Sequence, residues 1–171
     1  MDATALKSRL PPTTPAPVVD ALVHAVAAWR GLLGARLWSL VLFGSVARGT
    51  AGPASDVDLL AVIEDLPRSL RDRRRVLLDE WTRTRRVHAV APVEWNLVIK
   101  TPAEAVSHSP IYLDMVEDGI LLVDRDGFFA RVLDAMRARM RALGSRRVFL
   151  PDGSWYWDLK PDYRFGERVE I

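Results

Sequence analysis

The spacing of apolar residues divides the chain into helices and short buried strands. From Val18 to Leu33 the apolar residues recur at helical spacing, which predicts a helix that ends at Gly34. Continuous apolar runs predict buried strands over Leu37–Phe43, Val57–Ile63, Val93–Lys100 and Ile120–Val123. Further helices are predicted from Pro67 to about Arg86, from Pro102, from Ser109-Pro110, and from Asp126-Gly127 to about Leu143. This order of elements predicts an α+β (mixed α/β) domain.

The two ends of the chain differ in composition from the middle. Residues 8–17 contain four prolines, so residues 1–17 are predicted to form a Pro-rich lead-in. Residues 146–171 are rich in aromatic side chains, and Asp152-Gly153 between two apolar runs predicts a hairpin. We expect the main domain to span residues 18–145. The C-terminal extension is expected to pack on that domain as a small satellite core rather than to form an exposed interface.

Composition and net charge limit the class of protein but do not identify a reaction. The chain has 171 residues, 49% of them hydrophobic, which suits one compact domain with a buried core. With 24 basic and 22 acidic residues, the net charge of +2 is smaller than that of typical nucleic-acid binders. The arginines between Arg68 and Arg86 are therefore interpreted as a solvated helix face. Because neither a secretory signal nor an apolar run of transmembrane length is evident, we expect a cytoplasmic protein that does not enter membranes.

A glycine-serine pair follows the first predicted strand. Gly44-Ser45 comes directly after Leu37–Phe43 and precedes a predicted helical turn over Val46–Gly49. Glycine lets a backbone come close to a ligand, and amide N–H groups at the start of a helix favour phosphate. Arg48 can reach phosphate oxygens from the same turn with its planar guanidinium. The pattern is not a Walker loop, because GSVARGT lacks the Gly-Lys-Ser/Thr ending.

Two aspartates stand at the start of the next strand. In Asp56-Val57-Asp58 the carboxylates are two residues apart, so in a strand they point to the same side. Like charges held so close repel each other unless a cation lies between them, and Mg²⁺ or Mn²⁺ suits such oxygen ligands. A capping aspartate followed by a salt-bridged aspartate would explain the pair equally well. Glu94 can join the pair if its strand is the neighbour of Val57–Ile63, and is otherwise an edge-strand surface residue.

These residues resemble a known family. The run LVLFGSVARGTAGPASDVDLLAVI, residues 40–63, is similar to the signature of the DNA polymerase β-like nucleotidyltransferase superfamily, and more narrowly to that of the minimal nucleotidyltransferases. The resemblance implies the polymerase β-like nucleotidyltransferase fold, a small mixed and largely antiparallel sheet flanked by helices. It implies nucleotide binding by Gly44, Ser45, Arg48 and Ser55, and both metal binding and catalysis by Asp56, Asp58 and Glu94. Glu94 stands where the family often has aspartate.

The same resemblance implies an activity. It is the transfer of a nucleoside monophosphate, expected to be AMP from ATP, to a hydroxyl of a protein or small-molecule acceptor. Many minimal nucleotidyltransferases pair with a small helical HEPN protein, often an RNase toxin, so an antitoxin role beside such a partner is expected. Two alternatives stay open: a nucleotide-binding module that neutralises its partner by contact alone, and a nucleotidyltransferase of aminoglycoside-type antibiotics. The sequence is also compatible with a homo-oligomer.

Overall fold

The computed structural model describes residues 3–52, 54–107 and 109–169. Its helices are α1 (Ala3–Lys7), α2 (Ala16–Leu33), α3 (Gly44–Arg48), α4 (Leu70–Val87), α5 (Pro102–Ala105), α6 (Ile111–Asp118) and α7 (Phe128–Leu143). Its strands are β1 (Leu37–Phe43), β2 (Val57–Ile63), β3 (Trp95–Lys100), β4 (Ile120–Asp124), β5 (Arg146–Phe149) and β6 (Trp155–Asp158). Short 3-10 turns over Gly34–Arg36 and Arg125–Gly127 lead into β1 and α7.

Four strands form one mixed sheet in the order β3-β2-β1-β4. β1 pairs antiparallel with β2 and β4, whereas β2 pairs parallel with β3. A parallel neighbour requires a crossover connection, which α4 supplies. In this register Phe43 lies opposite Asp58, and Asp58 lies beside Asn96. The end of β1 and the starts of β2 and β3 therefore meet at one end of the sheet.

Helices cover both faces of this sheet, which gives a first hydrophobic layer on one face and a second hydrophobic layer on the other. On one face α1, α2 and α4 pack around Trp29, which is fully buried and donates an indole hydrogen bond of 3.0 Å to the carbonyl of Leu77. On the other face α5, α6 and α7 pack around Tyr112 and Phe129. The central strands β1 and β2 are buried on both sides, which explains why each is an almost uninterrupted apolar run.

The structure confirms the predicted α+β fold, with a mixed, largely antiparallel sheet flanked by helices. The differences lie at the ends of elements. α2 begins at Ala16 rather than Val18, because Pro17 fits the first turn of a helix, where a missing N–H costs nothing. β3 begins at Trp95 rather than Val93, so Glu94 precedes the strand instead of belonging to it.

The segments at the two ends pack on the domain. The lead-in predicted over residues 1–17 contains α1, and its Leu6 and Leu10 are buried in the first hydrophobic layer. The extension predicted over residues 146–171 forms the hairpin β5–β6, in which Trp157 packs against the second layer while Phe165 is fully exposed. Residues 1, 2, 170 and 171 of these segments lie outside the described residues.

One stretch departs from the expectation that no apolar run reaches transmembrane length. Ala16–Arg36 is long and apolar enough to cross a membrane by length and composition alone. In this structure one side of α2 forms part of the core, where Leu22 and Trp29 are fully buried, whereas Leu32 is exposed. A core helix buried along one side accounts for the same composition.

Candidate active site

The predicted site residues come together at one end of the sheet. Gly44 and Ser45 begin α3 directly after β1, and Asp58 is the second residue of β2. Antiparallel pairing sets Phe43 opposite Asp58, and parallel pairing sets Asn96 beside Asp58. The glycine-serine turn and the aspartate pair are therefore neighbours in space because of how the strands pair.

The closest approach at this site is between Gly44 and the carboxylate of Asp58. A Cβ atom placed on Gly44 would lie 2.0 Å from Asp58 Oδ2 and 2.8 Å from Asp58 Cγ. Gly44 also has a φ of +72°, in the left-handed region that favours glycine. The turn after β1 thus needs a residue without a side chain, and the first reason is the neighbouring Asp58 rather than a ligand.

Asp58 is a partly buried carboxylate among other charged groups. Burial raises the pKa of Asp58 above its ordinary value of 3.8. A hydrogen bond of 2.7 Å from Asn96 Nδ2 to Asp58 Oδ1 lowers that pKa, the charge of Asp56 raises it, and the Arg48 guanidinium lowers it. Because the net shift is upward, these residues do not fully compensate the ionised form of Asp58. A divalent cation with oxygen ligands would supply the missing positive charge.

The other two predicted carboxylates, Asp56 and Glu94, are exposed at the same end of the sheet. The Glu94 carbonyl accepts a hydrogen bond of 2.9 Å from the N–H of Val57, which holds its backbone beside the aspartate pair. Across residues 3–52, 54–107 and 109–169, no three His, Cys, Asp or Glu side chains are grouped closely enough to hold a metal ion. Asn96 lies directly beside Asp58 in the sheet and donates a hydrogen bond to its carboxylate. Glu94 as the third carboxylate therefore stays a prediction.

Two of the predicted nucleotide-binding side chains already have partners within the protein. Ser55 Oγ accepts a hydrogen bond of 2.9 Å from the N–H of Gly52 and so stabilises the loop before β2. Arg48, the last residue of α3, stacks its guanidinium on Trp155, with Cζ 4.6 Å from the ring centroid. Because the charge of Arg48 also acts on Asp58, Arg48 links the C-terminal hairpin to the carboxylates. The nucleotide-binding roles of Gly44, Ser45, Arg48 and Ser55 stay predictions.

Sequence reasoning missed two residues at this site. Asn96 follows Glu94 by two positions, and in the parallel register it lies beside Asp58. An amide at that spacing is a signal that could have identified Asn96. Trp155 carries no such signal, because only the tertiary fold brings the hairpin to Arg48.

A separate groove of about 770 Å³ lies between α4 and the edge strand β3. Its walls combine apolar side chains such as Leu70 and Leu97 with arginines such as Arg71 and Arg74. Among the described residues that line it, none is a predicted site residue. The groove is therefore a distinct feature and not an extension of the carboxylate site.

Comparison with protein families and curated proteins gives two matches. A nucleotidyltransferase domain family matches residues 35–120, which is about half of the chain and includes every predicted site residue. A protein of Methanocaldococcus jannaschii that carries the name "Putative protein adenylyltransferase MJ1305" is 34% identical over 107 residues. That alignment covers 61% of this chain and 70% of the archaeal protein.

Comparison with solved structures gives matches at low sequence identity. A structure described as a toxin-antitoxin with AMP-PNP matches with a TM-score of 0.44 and 13% identity, over 73% of this chain and 91% of the other. A structure described as the toxin-antitoxin MntA-HepT matches with a TM-score of 0.40 and 11% identity, over 70% of this chain and 86% of the other. Identities this low carry no information about substrate or partner.

We expect Gly44→Ala to destabilise the protein and to disrupt binding at the site, and Gly52→Ala to do neither. The methyl group added by Gly44→Ala would overlap the Asp58 carboxylate, and the left-handed backbone alone adds strain of about 1–3 kcal/mol. Gly52 has nothing within 4 Å of its Cβ position, which makes Gly52→Ala a matched control. Thermal unfolding and titration with Mg²⁺ and ATP measure both effects. Equal unfolding midpoints for the two variants would contradict the close approach.

We expect Asp58→Asn to stabilise the metal-free protein at neutral pH. Because folding raises the pKa of Asp58, protonation favours the folded state below the ordinary value of 3.8, and that contribution is lost as the pH rises through the raised value. The neutral amide avoids this loss, so with a chelator at pH 7 the unfolding midpoint should rise by about 1–3 °C. Asp20→Asn on the exposed side of α2 should leave the midpoint unchanged. A midpoint that falls in Asp58→Asn would show that the carboxylate stabilises the fold.

Proposed function

The chain belongs to the nucleotidyltransferase domain family, and on that premise we propose that it transfers AMP from ATP to a hydroxyl of a protein, releasing pyrophosphate. The enzyme class, nucleotidyltransferase, follows from the family. The choice of nucleotide and acceptor is the proposal. It is supported by the Methanocaldococcus jannaschii relative, whose name describes a protein adenylyltransferase.

The observation that carries the proposal is the approach of Asp58 to Gly44 at the end of the sheet. It brings the Asp58 carboxylate next to the turn that begins α3. Arg48 extends from the same turn, and its positive charge acts on the same carboxylate. A triphosphate bound there would meet backbone amides and a guanidinium on one side and carboxylates that can hold its counter-ion on the other.

In the proposed reaction the acceptor hydroxyl oxygen forms a bond to the α-phosphorus of ATP. The bond from that phosphorus to the oxygen that bridges to the β-phosphate breaks, and its electron pair leaves with pyrophosphate. We assign the hydroxyl proton to the Glu94 carboxylate, acting as general base. The amides of Gly44 and Ser45 and the guanidinium of Arg48 bind and orient the phosphates, and Ser55 is proposed to complete the nucleotide site.

A metal ion is part of the proposal. Asp56 and Asp58 offer the oxygen ligands that Mg²⁺ or Mn²⁺ prefers, with Glu94 as the proposed third ligand. The raised pKa of Asp58 supports the fit, since its charge is not fully compensated by protein groups. When bound, the ion would neutralise negative charge on the phosphates. The chain's own contribution is to hold Asp58 in the buried strand β2, with Asp56 directly before it.

For the acceptor we propose a small helical partner of the HEPN type, with this chain acting as its antitoxin. The resemblance of residues 40–63 to minimal nucleotidyltransferases supports this setting, because members of that group pair with such proteins. The name of the archaeal relative supports a protein acceptor in general.

The proposal predicts that label passes from α-labelled ATP to a HEPN-type partner protein when Mg²⁺ is present, with release of pyrophosphate. Replacing both aspartates, Asp56→Ala with Asp58→Ala, should reduce transfer by roughly 10³-fold or more, because the ligands of the charge-neutralising ion are lost. Asp20→Asn serves as a charge control and should transfer normally. Transfer that survives the double substitution would contradict the metal mechanism. Label that passes to an aminoglycoside instead would identify the antibiotic alternative.

A second function, neutralisation of a partner by contact alone, is favoured by one observation. Within the described residues no three His, Cys, Asp or Glu side chains are grouped closely enough to hold a metal ion, and Asn96 lies beside Asp58. A chain in which only two carboxylates take part in metal binding would bind ATP with Mg²⁺ but would catalyse its turnover slowly.

Glu94→Ala separates the two functions. If Glu94 is the general base, the variant should lose transfer by roughly 10²–10⁴-fold while its affinity for ATP falls only modestly. Glu117→Ala, which removes an exposed glutamate of α6, is the control and should transfer at the normal rate. The test is completed by measuring growth rescue in cells that express the HEPN-type partner together with each variant. Rescue that persists when Glu94 and both aspartates are replaced would establish neutralisation by contact.

A further inference from the structure

We propose that Trp155 is a positioning residue for Arg48, so that the hairpin β5–β6 is part of the nucleotide site. The inference rests on the proposed function, because it takes Arg48 to bind the phosphates of ATP. Trp155 lies outside residues 35–120, the range that matches the nucleotidyltransferase family. The family match alone therefore assigns it no role.

The contact that carries the inference joins the Arg48 guanidinium to the face of the Trp155 ring. Arg48 Cζ lies 4.6 Å from the ring centroid, within the distance of about 6 Å at which a cation is attracted to an aromatic face. Tryptophan is the strongest aromatic partner for such a contact. Phe149 lies beside Trp155, with ring centroids 6.3 Å apart.

Arg48 needs such a contact to hold one orientation. It ends a helix of only five residues, and its side chain is partly exposed. Its attraction to Asp58 acts through charge, and no carboxylate in the described part of the chain forms an ion pair with it. A long, free arginine samples many rotamers, whereas a stacked guanidinium is already ordered when the phosphates arrive.

The hairpin is anchored firmly enough to position a side chain. Arg147 of β5 donates hydrogen bonds to Asp118 at 2.8 Å and to Asp114 at 3.4 Å, both on α6. Trp157 of β6 donates its indole N–H to Asp114 at 2.9 Å. Both strands of the hairpin are thus tied to the same helix. The Arg147 guanidinium also lies 5.3 Å from the Trp155 centroid, which joins this anchor to the ring that contacts the site.

Packing alone does not account for Trp155. Trp157 and Leu159 pack against the second hydrophobic layer, as expected of satellite core residues. Across the described residues, Trp155 is assigned to neither hydrophobic layer. Its ring contacts two guanidinium groups and the exposed side chain of Phe149. A tryptophan in that setting orders cations, and one of them is the predicted phosphate ligand Arg48.

Calorimetric titration of the whole chain with ATP and Mg²⁺ tests the inference. Trp155→Ala should weaken binding about five- to tenfold, the size expected for loss of one partly desolvated cation–π contact. Trp155→Phe should lose less, because the phenyl ring keeps part of the aromatic face. Tyr156→Ala is the matched control, since Tyr156 is exposed and points to the opposite face of the same strand. It should bind ATP as the wild type does.

The decisive readout is the coupling between Trp155 and Arg48. In an Arg48→Ala background, adding Trp155→Ala should cause no further loss, because Trp155 acts through Arg48. Equal losses in both backgrounds would overturn the inference, and so would wild-type affinity in Trp155→Ala. If Trp155→Ala fails to fold, Trp155→Phe is measured in the wild-type and Arg48→Ala backgrounds instead. The same outcomes then support or overturn the inference, with a smaller expected loss of ATP affinity.

Failure of the proposed function gives a different result. A wild-type chain that does not bind ATP with Mg²⁺ would overturn the proposed function and this inference with it. A wild type that binds ATP, with the affinity unchanged by Trp155→Ala, overturns this inference alone.

Discussion

The structure depends on the close approach of the Asp58 carboxylate to the Gly44 backbone. Antiparallel pairing of β1 with β2 sets Phe43 opposite Asp58, so the chain must leave the sheet directly beside a carboxylate. Glycine in the left-handed conformation makes that turn possible. The arrangement keeps a partly buried charge next to Asp56, which is unfavourable for folding. In the proposed mechanism the same carboxylates bind a cation, so stability and the proposed function make opposite demands here.

Both ends of the chain return to this region. Thr13 Oγ1 donates a hydrogen bond of 2.8 Å to the Gly49 carbonyl just after α3, and Trp155 stacks on Arg48 at the end of α3. A helix of five residues is too short to be stable by itself, so its orientation depends on the segments that pack around it. The lead-in contacts Gly49 directly after α3, and the hairpin contacts Arg48 at the end of α3. Segments far from each other in the sequence therefore pack around the same short helix of the proposed site.

Much of the sheet could be predicted from the sequence because buried strands are continuous apolar runs, and β1 and β2 have their predicted bounds. The spacing of Asp56 and Asp58 predicts a common direction by alternation along a strand, and because Asp56 precedes β2 this direction stays a prediction. Contacts between distant segments are different. Asn96 reaches Asp58 only through the parallel register of β3, and Trp155 reaches Arg48 only because the hairpin is anchored on α6. Neither contact leaves a periodic pattern in the chain, so spacing and composition could not identify it.

A crystal structure of the whole chain with Mg²⁺ and a non-hydrolysable ATP analogue tests the central claim most directly. The account predicts a cation bound by oxygens of Asp56 and Asp58 at about 2.1 Å, with the phosphates against the Gly44-Ser45 turn. It would be contradicted by a nucleotide bound in the groove between α4 and β3, with no cation at the aspartates.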